Sequence, residues 1–566
     1  MHVNQEQLPF SCYGSYFVLS QSRGSGRRSD GLYLRNVRGG DEKWGELFRI
    51  ELVREDGRAV HYEVRMTPSQ LTLDAGGEQG ATFCFAAPHV LRVRSLGVRV
   101  RLTMETGAYD YAFQTEPASA LVNSFTQMVR LRLAMREGEL SLDAPWNGVK
   151  SARVVITFVP DEKTGAAECA LEEFITVRQG KEGHDTFGEC VAKQEGTYRD
   201  WLDHVLPVPQ EFAEGRELAA YITWSSVVSP SGLLTRPAMY MSKNWMTNIW
   251  SWDHCFNAMA LARGNPQLAF DQIMLFFDRQ DASGVLPDFL NDSFALWNCC
   301  KPPIHGWAIG WMMQRSDFFT LERLRELYEP LAKWTSWWLV HRKQSAEGLY
   351  CYHHGNDSGW DNSTVFAEGV PVESPDLAAY LCLQMETLSQ IAERLGQHSE
   401  AREWQDRSEQ LLHDLLQRFW TGERFVARMA SSGQAIEADS LLLMMPIVLG
   451  ERLPATVRER VVAALKQTDG FLTEHGFATE RIGSSSYVPD GYWRGPIWAP
   501  STMLIVDGLR KAGEDSFARE IARRFCRMAQ NSGMAENFDA QSGRALRDPA
   551  FTWTSSVYLI LAHEYV

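Results

Sequence analysis

The sequence lacks any apolar run close to the roughly 20 residues that a bilayer-spanning helix needs, so no transmembrane segment is predicted. Its first stretch, MHVNQEQLPFSCYG, has no basic segment followed by an apolar one, and we expect no secretory signal. The ten cysteines contain no CxxC pair, and the adjacent Cys299 and Cys300 have a poor geometry for a shared metal or a disulfide. These absences predict reduced thiols and a cytoplasmic protein.

Basic residues are scarce relative to acidic ones, at 56 against 71, which gives a net charge of -15. This balance argues against nucleic acid and anionic membranes as partners, because both require a broad cationic surface. There is no fixed-period repeat, which disfavours a helical solenoid. Tryptophan, in contrast, is abundant at 19 residues, and many of these lie in short loop-like motifs.

The first third of the chain has the pattern of β-structure. The 566 residues exceed what one ordinary core accommodates, so more than one domain is expected. Segments 48–53, 61–66, 91–104 and 152–159 alternate apolar and polar residues at period two, as half-buried strands do. We therefore predict an N-terminal β-sandwich domain over residues 1–165.

The rest of the chain has a helical pattern. A helical linker is predicted over residues 166–211, where two prolines close to its end mark a boundary. Twelve helices are predicted beyond it, over 212–228, 253–264, 266–281, 304–315, 318–343, 374–396, 399–420, 436–448, 454–467, 495–512, 515–531 and 551–564. Consecutive helices with little strand pattern between them predict an (α/α)6 barrel over residues 212–566.

Polarity divides the predicted helices into two kinds. Segments 321–343 and 400–420 are amphipathic, as outer-ring helices should be, whereas 440–450 and 556–565 are nearly apolar and suit an inner ring. Long loops separate the members of some helix pairs, at 282–303, 344–373, 468–494 and 532–550. Loops of this length in a compact domain are usually functional. Their content of Trp, Tyr, Asp and Gly predicts that they form the walls of a pocket at one end of the barrel.

Five loop-to-helix segments place a carboxylate or a basic residue beside aromatic rings just before a predicted helix. They are 243–261 with WSWD, 283–290 running to 301–311, 356–364 with SGWDNS, 490–509 with YWRGPIW, and 534–559 with ENFD. Aromatic faces suit the C–H face of a sugar ring, while carboxylates and amides suit its hydroxyls. The motifs therefore predict a carbohydrate site.

Three of these segments, SGWDNS, YWRGPIW and ENFDAQSG with the later FTWTSSVYL, resemble signature segments of glycoside hydrolase family 63. The resemblance extends to its mannosylglycerate-hydrolase-like and trehalase-like relatives and covers about residues 212–566. It implies an (α/α)6 barrel that hydrolyses α-glycosides with inversion and needs no cofactor. Inversion requires one carboxylic acid that protonates the leaving oxygen and a second carboxylate that activates water on the opposite face.

The resemblance also implies roles for individual residues. Asp361 in SGWDNS matches the general acid, and Glu536 in ENFD matches the general base. The residues matched or assigned to substrate binding are Trp250, Trp252, Asp253, Trp307, Trp360, Tyr492, Trp493, Arg494 and Gly495. No residue is assigned to a metal.

Two positions depart from the family pattern. Thr364 and Val365 follow the DNS of SGWDNS, where relatives commonly have Pro-Arg, and Lys301 stands where a glutamine is expected. Both departures fall where a subsite for the leaving group would lie, so an anionic aglycone that contacts Lys301 is one hypothesis.

Other interpretations of the same loop remain open. Asp361 could cap a helix or bind loop amides, and Asp357 is expected to support the loop. Asn356, Asp357, Asp361 and Asn362 are oxygen donors that could bind Ca²⁺, although their spacing matches no EF-hand. The adjacent His353 and His354 lack a third metal ligand at suitable spacing.

The sequence as a whole predicts an inverting glycoside hydrolase that cleaves a small α-glucoside or α-mannoside. The substrate would be a disaccharide, an oligosaccharide or a glycosyl-glycerate-like compound. One rival is a sugar epimerase or isomerase with the same barrel, although such enzymes usually rely on paired histidines on inner helices and most histidines here fall on loops or outer helices. A second rival is a non-catalytic carbohydrate-binding protein. The expected partner is a small carbohydrate, and a homo-oligomer is compatible with the sequence.

Overall fold

The computed structural model describes residues 8–22, 30–43, 45–178, 183 and 185–566. The prediction of no secretory signal concerns a stretch that starts with residues 1–7, and these lie outside the described residues. Strands dominate the first part of the chain and helices the second, as the change of period predicted. Among the described helices, none combines the length and the apolar character that crossing a membrane requires.

Fourteen strands of the described chain form two antiparallel sheets. They are β1 Phe17–Ser22, β2 Gly31–Asn36, β3 Glu46–Val53, β4 Glu63–Met66, β5 Leu71–Gly76, β6 Gln79–Ala87, β7 Val90–Leu96, β8 Arg99–Met104, β9 Tyr111–Glu116, β10 Ser119–Ser124, β11 Val129–Glu137, β12 Glu139–Asp143, β13 Val154–Val159 and β14 Ala166–Phe174. One sheet has the order β1-β2-β3-β8-β13-β12 and the other β4-β5-β6-β7-β14-β11-β10-β9. Alternate residues of strands such as β8 and β13 are buried, which confirms the period-two prediction.

Strand β14 corrects the predicted helical linker. Residues 166–174 were expected to be helical because their sequence, AAECALEEF, is rich in strong helix formers. Instead β14 lies between β7 and β11 and pairs with both. Two neighbouring strands satisfy its backbone groups and cover its side chains, so tertiary context overrides local propensity. Among the described residues of this region, the predicted α-helix is present as α1, Phe187–His204.

The barrel helices follow in chain order. They are α2 Ala213–Ser226, α3 Asp253–Leu261, α4 Pro266–Phe277, α5 His305–Met313, α6 Leu321–His341, α7 Pro375–Arg394, α8 His398–Phe419, a long 3-10 helix Leu441–Arg452, α9 Ala455–Leu465, α10 Ala499–Lys511, α11 Asp515–Ser532 and α12 Thr552–Glu564. Each matches one of the twelve predicted segments. An (α/α)6 barrel therefore follows the β-sandwich.

Contacts between helices close the inner ring. The members α3, α5, α7, the 3-10 helix, α10 and α12 each contact the next, and α12 contacts α3. The remaining six helices lie outside and contact this ring. Helices α6 and α8 are in the outer ring, and the 3-10 helix and α12 are in the inner one, so the assignment from polarity is confirmed.

One inner-ring member is not the α-helix that was predicted over 436–448. It is a 3-10 helix that contains Pro446, whose missing N–H removes an α-helical hydrogen bond. Gly450 has a non-helical φ of 54° and kinks this span, which is two helical pieces joined there, and a Cβ at Gly450 would meet the Cβ of Lys511 at 2.4 Å. Only glycine combines this backbone conformation with such a close approach to α10.

Short strands connect the loops of the barrel. They are β15 Val227–Val228, β16 Ala238–Met239, β17 Ile249–Trp250, β18 Phe289–Leu290, β19 Cys351–Tyr352, β20 Val372–Glu373, β21 Ala427–Met429, β22 Ala435–Ile436, β23 Ile497–Trp498, β24 Asn537–Phe538 and β25 Ala545–Leu546. They pair antiparallel in small sets, such as β17 with β18 and β24 with both β23 and β25.

The segment before β1 joins the two domains through a buried lysine. Lys243, in the barrel, donates from Nζ to the carbonyl of Ser15 at 2.6 Å and to Ser11 Oγ at 3.1 Å. It is 1% exposed, and burial lowers its pKa to about 7. The ammonium is therefore held by carbonyl and hydroxyl oxygens, and its charge carries a large desolvation penalty.

Candidate active site

A cavity of about 140 Å³ lies at the end of the barrel where inner helices such as α3 and α12 begin. Seven of the predicted site residues line it: Trp250, Trp252, Asp253, Asp361, Tyr492, Trp493 and Glu536. Six further residues also line it: Met246, Lys301, Asn356, Gly359, Phe551 and Trp553. The partial positive charge at helix amino-termini stabilises carboxylates at this end, among them Asp253 in the first turn of α3.

Short strand pairs hold the loops that carry these residues. Trp250 in β17 is opposite Phe289 in β18, which ties the WSWD motif to the next loop. Glu536 directly precedes β24, in which Asn537 is opposite Trp498 of β23. The loop that carries Glu536 is therefore fixed to the YWRGPIW segment by backbone hydrogen bonds.

Tryptophans form one wall of the cavity. The ring of Trp252 lies 6.1 Å from that of Trp493 and 6.0 Å from that of Trp553, measured between centroids. Behind the wall, Trp498 stacks on Trp493 at 4.0 Å with an interplanar angle of 5°, and Trp360 lies 4.6 Å from Trp493. Trp360 is fully buried and does not line the cavity, so it supports Trp493 instead of facing a ligand.

Asp357 fixes the loop that carries Asp361. Its Oδ2 accepts from Arg342 Nη1 at 2.7 Å and from the backbone N–H of His353 at 2.9 Å, and its Oδ1 accepts from the N–H of Cys300 at 3.3 Å. This confirms that Asp357 supports the loop. Its oxygens bind Arg342 and loop amides, which does not favour the calcium hypothesis.

Asn362 connects the Asp361 loop to the tryptophan wall. Its Nδ2 donates to the carbonyl of Gly491 at 3.0 Å, and its Oδ1 accepts from the N–H of Trp493 at 2.9 Å. The neighbouring Asp361 side chain is 36% exposed. Sequence reasoning considered Asn362 only as a calcium ligand, and nothing in the motif reveals its bridging hydrogen bonds.

The residues after Ser363, where the chain departs from its relatives, serve packing and local hydrogen bonding. The Thr364 hydroxyl donates to Glu480 Oε2 at 2.8 Å. Val365 is fully buried. This segment therefore presents no cation to the cavity.

Lys301 is the centre of a polar cluster in the cavity. Its Nζ donates to the carbonyl and to Oδ1 of Asn356 and lies 3.2 Å from Asp288 Oδ1. Asn356 Nδ2 closes the triangle by donating to Asp288 Oδ1 at 3.1 Å. Lys301 Nζ is also 4.0 Å from Asp361 Oδ1. Burial opposes the charge, but Asp288, Asp361 and Asp253 together raise the pKa of Lys301, so the ammonium is retained.

Glu536 is 4% exposed. Burial, with a smaller contribution from the negative charge of Asp548, raises its pKa to about 8, while Arg547 opposes the shift. The backbone N–H of Glu536 donates to the carbonyl of Asp548 at 2.8 Å, and its carbonyl accepts from Trp553 Nε1 at 3.1 Å. Asp548 is itself buried and was not predicted as a site residue.

Asp253 is 3% exposed, and its Oδ2 has no hydrogen-bond partner among the described residues. Burial raises its pKa well above the usual carboxylate range, although Lys301 opposes the shift. An orphan buried oxygen in a cavity is a site that a ligand hydroxyl can satisfy.

Three predicted residues besides Trp360 lie outside the cavity lining. Trp307, on α5, donates from Nε1 to Asp507 Oδ2 at 2.7 Å inside the barrel. Arg494 is half-buried and adjacent to the cavity residue Trp493. At Gly495 a Cβ would meet the carbonyl oxygen of Val488 at 2.1 Å, which explains the glycine by close backbone packing.

A buried histidine pair lies on the inner helices, next to the cavity residue Asp253. His254 and His305 have ring centroids 5.1 Å apart, and the donor atoms of His254, Cys255 and His305 lie within 4.8 Å of one another. Burial lowers the pKa of His254 to about 3 and that of His305 well below its usual value. Neither histidine lines the cavity, so the pair does not provide the chemistry of an epimerase there.

The barrel, with two carboxylates and an aromatic wall at one end, places the chain in the class of glycoside hydrolases with an (α/α)6 catalytic domain. The family described as the mannosylglycerate hydrolase MGH1-like glycoside hydrolase domain matches residues 246–554, more than half of the chain. The chain belongs to this family.

Relatives and solved structures agree with this assignment. A mannosylglycerate hydrolase of Rubrobacter radiotolerans is 22% identical, and the match covers 56% of this chain and 90% of that protein. Mannosylglycerate hydrolase MGH1 of Selaginella moellendorffii is 19% identical, over 55% of this chain and 79% of its own length. The GH63 mannosylglycerate hydrolase of Thermus thermophilus in complex with glucose has a TM-score of 0.53 at 17% identity, covering 61% of this chain and 99% of its own.

A second solved structure shares the fold of both domains. A bacterial glucoamylase complexed with acarbose has a TM-score of 0.64 at 12% identity and covers 98% of this chain and 93% of its own. The arrangement of a β-sandwich before an (α/α)6 barrel therefore recurs in another carbohydrate-active enzyme.

Proposed function

We propose that the protein is an inverting α-glycosidase in which Asp361 is the general acid and Glu536 the general base. The observation that carries this proposal is the convergence of the two carboxylates, 175 residues apart in sequence, on one cavity with a tryptophan wall. Asp361 Oδ1 lies 4.0 Å from Lys301 Nζ, and the Glu536 carboxyl accepts a backbone hydrogen bond from Asp548. The roles come from the motifs that contain them.

In this mechanism Asp361 protonates the glycosidic oxygen as the bond to the anomeric carbon breaks. Glu536 takes a proton from the water that attacks the opposite face of the sugar. The raised pKa of Glu536 makes it a stronger base than an ordinary carboxylate once it is ionised. No cofactor participates in either proton transfer.

The substrate we propose is a small α-glucoside or α-mannoside whose terminal sugar enters the cavity. A volume of about 140 Å³ is small beside the roughly 300–1,000 Å³ of drug-sized pockets, and it suits one sugar ring. Trp252 and Trp493 offer faces for the ring, and Asp253 offers an oxygen for a hydroxyl. The names of the relatives support a mannoside, and the structural neighbours with glucose and acarbose support a glucoside.

We also propose a cytoplasmic location. All ten cysteines are free and nine are buried, which suits a reducing compartment.

The test is to incubate the protein with a panel of α-linked disaccharides and glycosides and to follow the released anomer by NMR. Initial release of the β-anomer supports inversion. Release of the α-anomer contradicts inversion, an isomerised product supports an epimerase, and binding without turnover supports a carbohydrate-binding protein.

The residue roles are tested with Asp361→Asn and Glu536→Gln, which keep the side-chain shapes. We expect each to lower kcat by at least 100-fold, the lower end of the effect of general acid–base catalysis. Glu368→Gln is the matched control, because Glu368 is an exposed carboxylate on the same loop as Asp361. Turnover that survives both active-site substitutions would refute the assignment.

A further inference from the structure

Two histidines and a cysteine meet inside the barrel, away from the cavity lining. His254 and Cys255 are on the inner helix α3, and His305 is the first residue of α5, the inner helix that contacts α3. All three residues are 0% exposed. One donor atom from each lies within 4.8 Å of the other two. The fold therefore gathers three metal-binding side chains at one buried point.

The ring of His305 has no partner for either of its nitrogens. Both Nδ1 and Nε2 are buried and make no hydrogen bond with the described residues. Aromatic rings surround it, since its centroid is 5.9 Å from that of Phe277 and 6.1 Å from that of Trp334. Buried polar groups in native proteins are nearly always paired. An enclosed imidazole without a partner therefore points to a ligand that binds it.

His254 is held in the orientation that a metal ligand requires. Its Nδ1 lies 3.0 Å from the carbonyl oxygen of Trp250. A carbonyl can only accept, so Nδ1 carries the proton and the lone pair is on Nε2. Metal-binding histidines commonly donate their other N–H to a carbonyl in this way. Burial lowers the pKa of both His254 and His305, which keeps the two rings in the neutral form that binds metals.

The spacing of nitrogen and sulfur matches tetrahedral coordination. His254 Nε2 is 3.7 Å from Cys255 Sγ. Zinc bonds of about 2.0–2.1 Å to nitrogen and about 2.3 Å to sulfur, at the tetrahedral angle, place these two atoms about 3.6 Å apart. A hydrogen bond from the thiol to His254 is the metal-free alternative, and it leaves His305 without a partner.

We propose that His254, Cys255 and His305 bind a zinc ion that ties α3 to α5. Zinc prefers imidazole nitrogen and thiolate sulfur, and three protein ligands leave the fourth tetrahedral position to water. Burial raises the pKa of the Cys255 thiol, so the sulfur is protonated without a metal. Binding forms the zinc–sulfur bond and releases that proton to solvent.

This site is structural and goes beyond the proposed glycosidase activity, on which it does not depend. Neither histidine lines the cavity, so the ion has no contact with the substrate. Helix α3 begins at Asp253, which lines the cavity. A tie between α3 and α5 therefore fixes the position of this carboxylate.

The first experiment uses the wild-type protein, expressed in zinc-supplemented medium because a fully buried site must fill as the chain folds. Any histidine tag is removed before the metal content is measured by mass spectrometry. We expect close to one zinc ion per chain, and X-ray absorption at the zinc edge should show nitrogen at about 2.0–2.1 Å and sulfur at about 2.3 Å. Protein without zinc, another metal in its place, or a zinc shell without sulfur would overturn the inference.

The second experiment tests the ligands themselves. Cys255→Ala and His305→Phe each remove one ligand, and each should lower the zinc content at least tenfold. Cys526→Ala is the matched control, because Cys526 is also a free and fully buried cysteine but lies on α11, outside the cluster. It should keep the wild-type zinc content. Zinc retained in both ligand variants would overturn the assignment.

A spectroscopic measurement decides the case in which the ligand variants do not fold. Wild-type protein expressed in cobalt-supplemented medium should show the visible bands of tetrahedral Co²⁺ and a near-ultraviolet charge-transfer band from thiolate to cobalt. Absence of the charge-transfer band would overturn the inference, since Cys255 is the cysteine within the cluster. Zinc-loaded protein should also unfold at a higher temperature than protein expressed without added metal.

Discussion

The pH dependence of catalysis offers a direct test of the charges around Glu536. If Glu536 is the general base, kcat/KM must fall as pH drops through the pKa of this carboxylate in the free enzyme. Because burial raises that pKa to about 8, the acidic limb should lie well above the pH of 4 to 5 expected for an ordinary glutamate. Activity should therefore still be rising with pH near neutrality.

Two substitutions should move this limb in opposite directions. Asp548→Asn removes a negative neighbour and should lower the pKa of Glu536, whereas Arg547→Gln removes a positive one and should raise it. A single close neighbouring charge typically shifts the pKa of a carboxyl group by about 1 to 3 units, and by less where water screens it. We therefore expect shifts of about one unit in each variant.

The assay is kcat/KM measured from about pH 4 to 10 on wild type and both variants, with the substrate identified by the panel. An acidic limb near pH 4.5 in the wild type would refute the argument from burial. If the acidic limb moved in the same direction in both variants, the charges of Asp548 and Arg547 would not explain the part of the Glu536 pKa shift that is attributed to them. Unfolding curves at each pH separate loss of catalysis from loss of structure.

Two further predictions concern the loop beside the cavity and the contact between the domains. Gly359→Ala should lower kcat/KM at least tenfold, because Gly359 has a φ of 76° and a Cβ there would lie 2.6 Å from the Trp252 ring. The control is Gly396→Ala. Gly396 has a similar φ of 77° but open space around it, so this substitution should reduce only stability. Steady-state kinetics and thermal unfolding of both variants check this, and equal kinetic losses would contradict it. For Lys243, the unfolded chain keeps the proton up to about pH 10.5 and the folded chain loses it near 7, so the free energy of unfolding should rise with pH between these values. Denaturant unfolding at pH 7.5 and 9 should show this rise in the free energy of unfolding, which is about 2 kcal/mol at most. The rise should be smaller in Lys243→Met. If wild type and Lys243→Met showed the same dependence on pH, the prediction would be refuted.

Much of the fold could be predicted from the sequence because periodicity reports burial. The twelve barrel segments were predicted, and the nearly apolar 440–450 and 556–565 form inner-ring helices because an inner helix is covered on all sides. Strand β14 could not be predicted, since its Ala- and Glu-rich sequence favours a helix and only the two neighbouring strands make it extended. The inner 3-10 helix is explained by Pro446 and Gly450, whose effect depends on the approach of α10.

The candidate site, like the fold, could be predicted from the sequence only in part. Seven residues in short motifs line the cavity, because each motif lies in a loop at the same end of the barrel. Trp360 was also expected there, but its position beside Asp361 in sequence did not reveal that it packs behind Trp493. The partners of Lys301 lie 13 and 55 residues away in the chain, so only the folded structure shows that its charge is occupied.

The short strand pairs have a consequence for how such a pocket can change. Strand β17 is paired with β18, and β24 is paired with both β23 and β25. An insertion or deletion within one of these strands would shift its register against the partner strand, so the cavity loops that carry both strands would move together. Residues 297–299 and 367–370 lie in loop stretches outside those pairs and outside the bridge that joins Ala295 to Leu290. Libraries that vary the length of these two stretches should retain foldable proteins far more often than libraries that alter 249–252 or 535–539. A new specificity would then be sought by exchanging the unpaired stretches while the paired ones stay as they are.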